Sequence, residues 1–205
     1  MAHLKLFTGC MASGKSTALL QTNHDYTDVG YKILIIKSVK DTRDGVQSKW
    51  GTIKSRLIDD NISCFYVDKI NVQNMKYIIE KYGYNMVLVD EAQFLSESDI
   101  WALSYIVDNM NINVLCYGIK TDSNGHLFNG INQLIAIADR TIELDHICSC
   151  CGEENANMHV RYVNGVPVVG GDVIAVEGTD NIEYKSVCRK CWKKITGFDS
   201  KIFDE

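Results

Sequence analysis

An α/β fold, a mostly parallel sheet followed by a small C-terminal zinc-binding domain, is predicted by three features of this sequence. Short apolar runs alternate with helical stretches through the first two-thirds; the first run opens directly into a glycine-bracketed turn; and five of the eight cysteines crowd the last third. Strand and helix in alternation call for a sheet covered by helices on both faces, whose strands read as continuous apolar runs rather than as alternating ones.

The predicted strands, in order, are Leu4–Thr8, Lys32–Lys37, Ser63–Val67, Met86–Asp90, Val114–Gly118 and Thr141–Leu144. Between the last three, Ser96-x-x-Asp99 has the form of a capping box, and Ile100, Leu103 and Val107 recur at helical spacing, which predicts a core-facing helix. Near residue 146 the regime changes to paired cysteines and a stretch punctuated by Gly165, Gly170, Gly171 and Gly178 and by the only proline, Pro167. A boundary there divides the chain into domains 1–146 and 147–205. Cys10, Cys64 and Cys116 sit singly among apolar residues and are expected to be buried as small hydrophobes.

Composition narrows the function. A net charge of −5 offers no general attraction to a polyphosphate backbone, so nucleic acid is not expected as a partner. No apolar run approaches the ~20 residues that span a bilayer. Met1-Ala2-His3 enters the first strand without a basic region or cleavage pattern, so a cytoplasmic protein without membrane association is expected.

Gly9-Cys10-Met11-Ala12-Ser13-Gly14-Lys15-Ser16-Thr17 follows the first strand as a complete phosphate-binding loop. Its glycines let the backbone fold into a nest of N–H donors, Lys15 can reach the outer phosphates of a nucleoside triphosphate, and Ser16 can ligate Mg²⁺. Met86-Val87-Leu88-Val89-Asp90-Glu91 is an apolar strand ending in two carboxylates. Asp90 can hold the Mg²⁺ shell, and Glu91 is placed to take a proton from whatever attacks the γ-phosphate. Water as that nucleophile would make an ATPase, and a sugar hydroxyl a kinase. Cys148-x-x-Cys151 and Cys188-x-x-Cys191 are two thiolate knuckles whose four sulfurs close a tetrahedral zinc site with no open position, which points to a structural metal. Cys150 competes for the first knuckle; Cys151 is preferred because the following Gly152 suits a knuckle turn. None of the five histidines falls in a ligand motif.

These segments, together with Asp41-Thr42-Arg43, Ala92-Gln93-Phe94, Tyr117-Gly118-Ile119-Lys120-Thr121-Asp122, Leu127-Phe128-Asn129-Gly130 and Tyr184-Lys185-Ser186-Val187-Cys188-Arg189-Lys190-Cys191, resemble the type II thymidine kinases nearly end to end, in wording closer to bacterial and phage members than to animal ones. The resemblance implies a RecA-like ATP-binding domain and a zinc domain carrying a lasso loop, here about 160–184. It implies ATP-dependent, Mg²⁺-dependent phosphorylation of the 5′-hydroxyl of thymidine or deoxyuridine in nucleotide salvage. Glu91 would then be the general base, Asp90 and Ser16 would serve Mg²⁺, and Lys15 and Arg43 would steady the phosphoryl group. Met11, Phe94, Ile119, Phe128 and Tyr184 would line the base pocket. Members of this family are usually homotetramers inhibited by thymidine triphosphate, and they work in the cytoplasm, the host's if phage-encoded. The chain departs from the pattern at Ser123, where members commonly carry Phe, and in a slightly longer lasso.

Two other readings compete. A nucleic-acid-dependent ATPase would need a basic face, which the acidic composition does not favour. A non-catalytic zinc-knuckle module with a regulatory nucleotide site would need no base, and Asp90-Glu91 is intact.

Overall fold

In a computed structural model of the chain, residues 1–40, 50–54, 61–153, 155–170 and 181–198 are described. The chain divides into two compact units.

The first unit comprises Met1–Thr8, Gly14–Gly118 and Asn129–Glu143. Its sheet is built from β1 (Leu4–Gly9), β2 (Ile33–Ser38), β3 (Trp50–Lys54), β4 (Asn61–Val67), β5 (Met86–Asp90), β6 (Asn113–Ile119) and β7 (Arg140–Glu143), in the order β3-β4-β2-β5-β6-β1-β7. Strand β2 pairs in parallel with β4 and β5, β5 with β6, and β1 with β7, while the edge strand β3 runs antiparallel to β4. All five residues of β5 are buried, as a parallel strand covered on both faces requires. The helices are α1 (Lys15–Asp28), α2 (Val72–Tyr82), α3 (Glu97–Met110) and α4 (Asn129–Ile137).

Leu19 and Leu20 of α1 join Ile35, Met86, Leu88, Leu115 and Tyr117 in a core that Phe7 extends by stacking on Tyr117 at 4.8 Å between ring centroids. Each side chain fully withdrawn from water there contributes about 1.5–3 kcal/mol. Burial raises the Tyr117 phenol well above its ordinary range, so it stays protonated and donates to Thr22 Oγ1 at 2.9 Å. The capping box is formed: Ser96 Oγ accepts from Asp99 N, and Asp99 returns a bond from Ser96 N at 2.9 Å. Ile100, Leu103 and Val107 are buried beneath it. Helix α4 needs glycine at 130, because a Cβ there would lie 2.6 Å from Leu95 O and 2.7 Å from Ala92 O.

The second unit takes Leu144 onward together with two segments distant in sequence, Gly9–Ser13 and Ile119–Phe128. Strands β8 (Met158–Val163), β9 (Val166–Val168) and β10 (Ile182–Val187) form an antiparallel sheet ordered β10-β8-β9, and α5 (Arg189–Thr196) follows. Its core joins Cys10, Ala156, Val160, Val187 and Trp192 to Cys148 and Cys191. The stretch read as a lasso, about 160–184, begins within β8, contains β9 and ends within β10, and its residues 171–180 lie outside the described residues. Among the described residues no helix is long and apolar enough to cross a membrane.

Candidate functional site

The phosphate loop is shaped by close approach. A Cβ on Gly9 would lie 2.5 Å from Ser13 Oγ and 3.0 Å from Leu144 O. Ala12 (φ 59°) and Gly14 (φ 83°) both take the left-handed conformation, the arrangement that turns successive N–H groups toward one side as an anion nest. Helix α1 starts at Lys15 with no side chain capping its first turn. The positive end of its dipole favours an anion at that terminus. Lys15, Ser16 and Thr17 occupy that first turn and are half-buried. Arg43, with Asp41 and Thr42, lies outside the described residues.

Asp90 ends β5 at the carboxyl edge of the parallel sheet, where α/β folds bind ligands, and Glu91 follows it as the cap of the next turn. Both are buried, at 4% and 8% exposure. Glu91 holds φ 53°, ψ 42°, a left-handed backbone that costs a residue with a Cβ on the order of 1 kcal/mol. A strained, buried acid persists only where its surroundings over-determine it, and that is characteristic of functional positions. The turn after it, Ala92–Phe94, is a single 3-10 turn packed under α4, and Gln93 Nε2 donates to Glu91 Oε2 at 2.5 Å. Phe94 ends that turn half-buried.

Sequence reasoning missed two groups here. Gln93 orients the Glu91 carboxylate. Lys37 is a buried cation on β2, in register with Asp90 on β5 and therefore on the same side of the sheet. A lysine at the end of an apolar run reads as a strand terminus, and only the strand order reveals its neighbour.

In the second unit, Ile119 and Phe128 are half-buried at the two ends of a loop closed by a Thr121–Leu127 bridge. Asp122 Oδ1 accepts from Asn124 N and His126 N, both at 2.9 Å, and holds the turn. Ser123 is buried, and its carbonyl accepts from Trp192 Nε1 at 3.1 Å. Tyr184, on β10, meets the buried His159 ring edge-on with 6.0 Å between centroids. Met11 is half-buried, and its carbonyl accepts from Ser186 Oγ at 2.6 Å.

Cys148, Cys151, Cys188 and Cys191 bring their four sulfurs within 4.8 Å of one another. A tetrahedron of Zn–S bonds ~2.3 Å long has edges of about 3.8 Å, and Cys151 Sγ lies 3.9 Å from Cys188 Sγ. Backbone N–H groups already solvate the sulfurs: Cys188 N donates to Cys148 Sγ at 3.2 Å and Cys191 N to Cys188 Sγ at 3.5 Å. Burial opposes ionisation of Cys148, but the N–H groups of Cys188, Cys151 and Cys150 outweigh it and hold the thiol at about 6. Gly152, at φ 74°, turns the first knuckle, and its N–H donates to Cys148 O at 2.9 Å. Cys150 is exposed and its sulfur is not among the four. The donor set suits a structural zinc ion. The three remaining cysteines, Cys10, Cys64 and Cys116, are buried as expected of small hydrophobes.

Residues 2–192 match the family model described as thymidine kinase. The chain is 36% identical over 199 residues to a thymidine kinase of Vibrio parahaemolyticus, an alignment covering 96% of this chain and all of that one. It is 38% identical over 200 residues to one of Idiomarina loihiensis, covering 96% and 99%. To one of Escherichia coli K12 it is 37% identical over 205 residues, covering 98% and 95%. A family-model match over residues 2–192 and alignments that cover at least 95% of both chains place this chain in the thymidine kinase family.

Proposed function

We propose that this chain transfers the γ-phosphoryl group of ATP to the 5′-hydroxyl of thymidine, and of deoxyuridine, yielding the nucleoside monophosphate and ADP. The observation that carries this reading is Glu91, a buried carboxylate pinned by Gln93 at the end of β5 beside Asp90. Glu91 removes the proton from the 5′-hydroxyl. The hydroxyl oxygen then bonds to the γ-phosphorus while the bond to the β–γ bridging oxygen breaks and ADP departs. The backbone N–H groups of Gly9–Ser13 and the start of α1 hold the phosphates, and Lys15, with Arg43, offsets charge on the group in flight. Mg²⁺ entering with ATP would be held by Ser16 and Asp90 and would offset negative charge on the phosphates.

Met11, Phe94, Ile119, Phe128 and Tyr184 serve the base. A zinc ion held by Cys148, Cys151, Cys188 and Cys191 would fix the two ends of the segment 152–187. A lasso anchored in this way can close over the nucleoside and exclude water that would otherwise hydrolyse ATP. In the same reading the enzyme is a cytoplasmic homotetramer inhibited by thymidine triphosphate. Incubation with terminally labelled ATP and a panel of nucleosides tests the proposal. Label should pass to thymidine and deoxyuridine and not to purine nucleosides. Transfer to none of them, with phosphate release stimulated by DNA or RNA, would instead favour a nucleic-acid-dependent ATPase.

A further inference from the structure

Ser186 joins three parts of the second unit that the sequence keeps far apart. It is buried on β10, two residues beyond Tyr184 and so on the same face of that strand. Its carbonyl accepts from Ser149 N at 3.0 Å and from Ser149 Oγ at 2.7 Å, within the first cysteine knuckle. Its hydroxyl donates to the carbonyl of Met11 at 2.6 Å, in the phosphate loop.

The Met11 carbonyl shares a peptide plane with the Ala12 N–H. In a trans peptide these two groups point in opposite directions, so fixing the oxygen fixes where the N–H aims. Ala12 needs such a constraint, because its left-handed φ of 59° is unfavourable for a residue with a Cβ. Side chains at 184 and 186 share a face, so one strand sets both the Tyr184 ring and this peptide.

We infer that Ser186 is a positioning residue for nucleotide binding: through the Met11 carbonyl it orients the Ala12 N–H within the phosphate loop, and it relays to that loop the order that the cysteine knuckle imposes on β10. This rests on the reading of the loop as the ATP site.

The test compares Ser186→Ala and Ser186→Thr with the wild type, in the full chain, by titration with a non-hydrolysable ATP analogue, by steady-state kinetics and by zinc analysis. Removing the hydroxyl that meets the Met11 carbonyl should weaken analogue binding roughly 5- to 30-fold. The KM for ATP should rise in parallel while kcat at saturating ATP changes less than about threefold, the pattern of lost uniform binding. Threonine, which keeps the hydroxyl and suits a strand, should restore most of the affinity, and zinc content should be equal in all three. Wild-type analogue affinity in Ser186→Ala overturns the inference, as does a threonine variant no better than alanine, or a loss of affinity that tracks loss of zinc. Should the alanine variant not fold, Ser186→Cys, similar in volume but a weaker donor, carries the same comparison. Because the analogue titration needs no acceptor, it decides this inference even if the wild type phosphorylates no nucleoside.

Discussion

Replacing Glu91 by Gln removes the proposed proton acceptor while leaving its shape, and the two effects separate cleanly. Loss of a positioned general base typically lowers the rate about 10²–10⁴-fold, which is roughly 2.7–5.4 kcal/mol of barrier at 1.36 kcal/mol per decade. The stability cost is smaller. Gln93 Nε2 now donates to an amide oxygen instead of a carboxylate, and exchanging a charge-assisted for a neutral bond forfeits about 1 kcal/mol. In a chain of this size that lowers Tm by about 2–4 °C. The left-handed backbone strain is the same for Gln and Glu, so it cancels from the comparison. The assay is kcat for thymidine phosphorylation beside direct binding of ATP and thymidine and a thermal melt. Glu91→Gln should bind both ligands with near wild-type affinity, melt a few degrees lower and turn over at least a hundredfold more slowly. Wild-type turnover would refute the assignment of Glu91 as base, and a melt lowered by more than about 10 °C would show that Glu91 acts chiefly in folding.

Metal analysis should find about one zinc per subunit, with Cys151→Ser abolishing it and Cys150→Ser sparing it; the reverse pattern would overturn the ligand set. Gly130→Ala drives a methyl against two backbone carbonyls at 2.6 and 2.7 Å. The overpacking should cost about 1–3 kcal/mol, read as a lowered denaturation midpoint, and an unchanged midpoint would show that α4 can shift away from the turn at Ala92–Phe94.

Much of the fold was legible because both of its main signals are local. Continuous apolar runs marked β1, β2, β4, β5, β6 and β7 to within about two residues, and the capping box marked the start of α3. Strand β3 escaped because WGTIK carries too little apolar sequence to stand out, and its partner β4 supplies the pairing. Strand β8 escaped for a different reason: Met158, Val160 and Tyr162 face the core while the alternate positions carry the buried polar residues His159 and Arg161, so its pattern does not read as a core strand. Glycines then made the whole segment resemble an open loop.

At the site, residue types announced themselves and relations did not. The glycine-rich loop, the paired acids and the four cysteines are motifs of fixed spacing. The left-handed turn at Glu91, the register of Lys37 with Asp90 and the bond from Ser186 to Met11 depend on chain segments brought together only by folding. Sequence likewise could not show that Gly9–Ser13 and Ile119–Phe128 belong to the same compact unit as the cysteines.

The central claim is that the γ-phosphoryl group goes to a nucleoside 5′-oxygen and not to water. Quantifying ADP with and without thymidine, and locating the new phosphate by its phosphorus–proton coupling to the C5′ protons, tests that claim most directly. The expected result is ADP and thymidine 5′-monophosphate in equal amounts, with little ADP when thymidine is omitted. ADP formed at the same rate without thymidine, accompanied by inorganic phosphate, would contradict it.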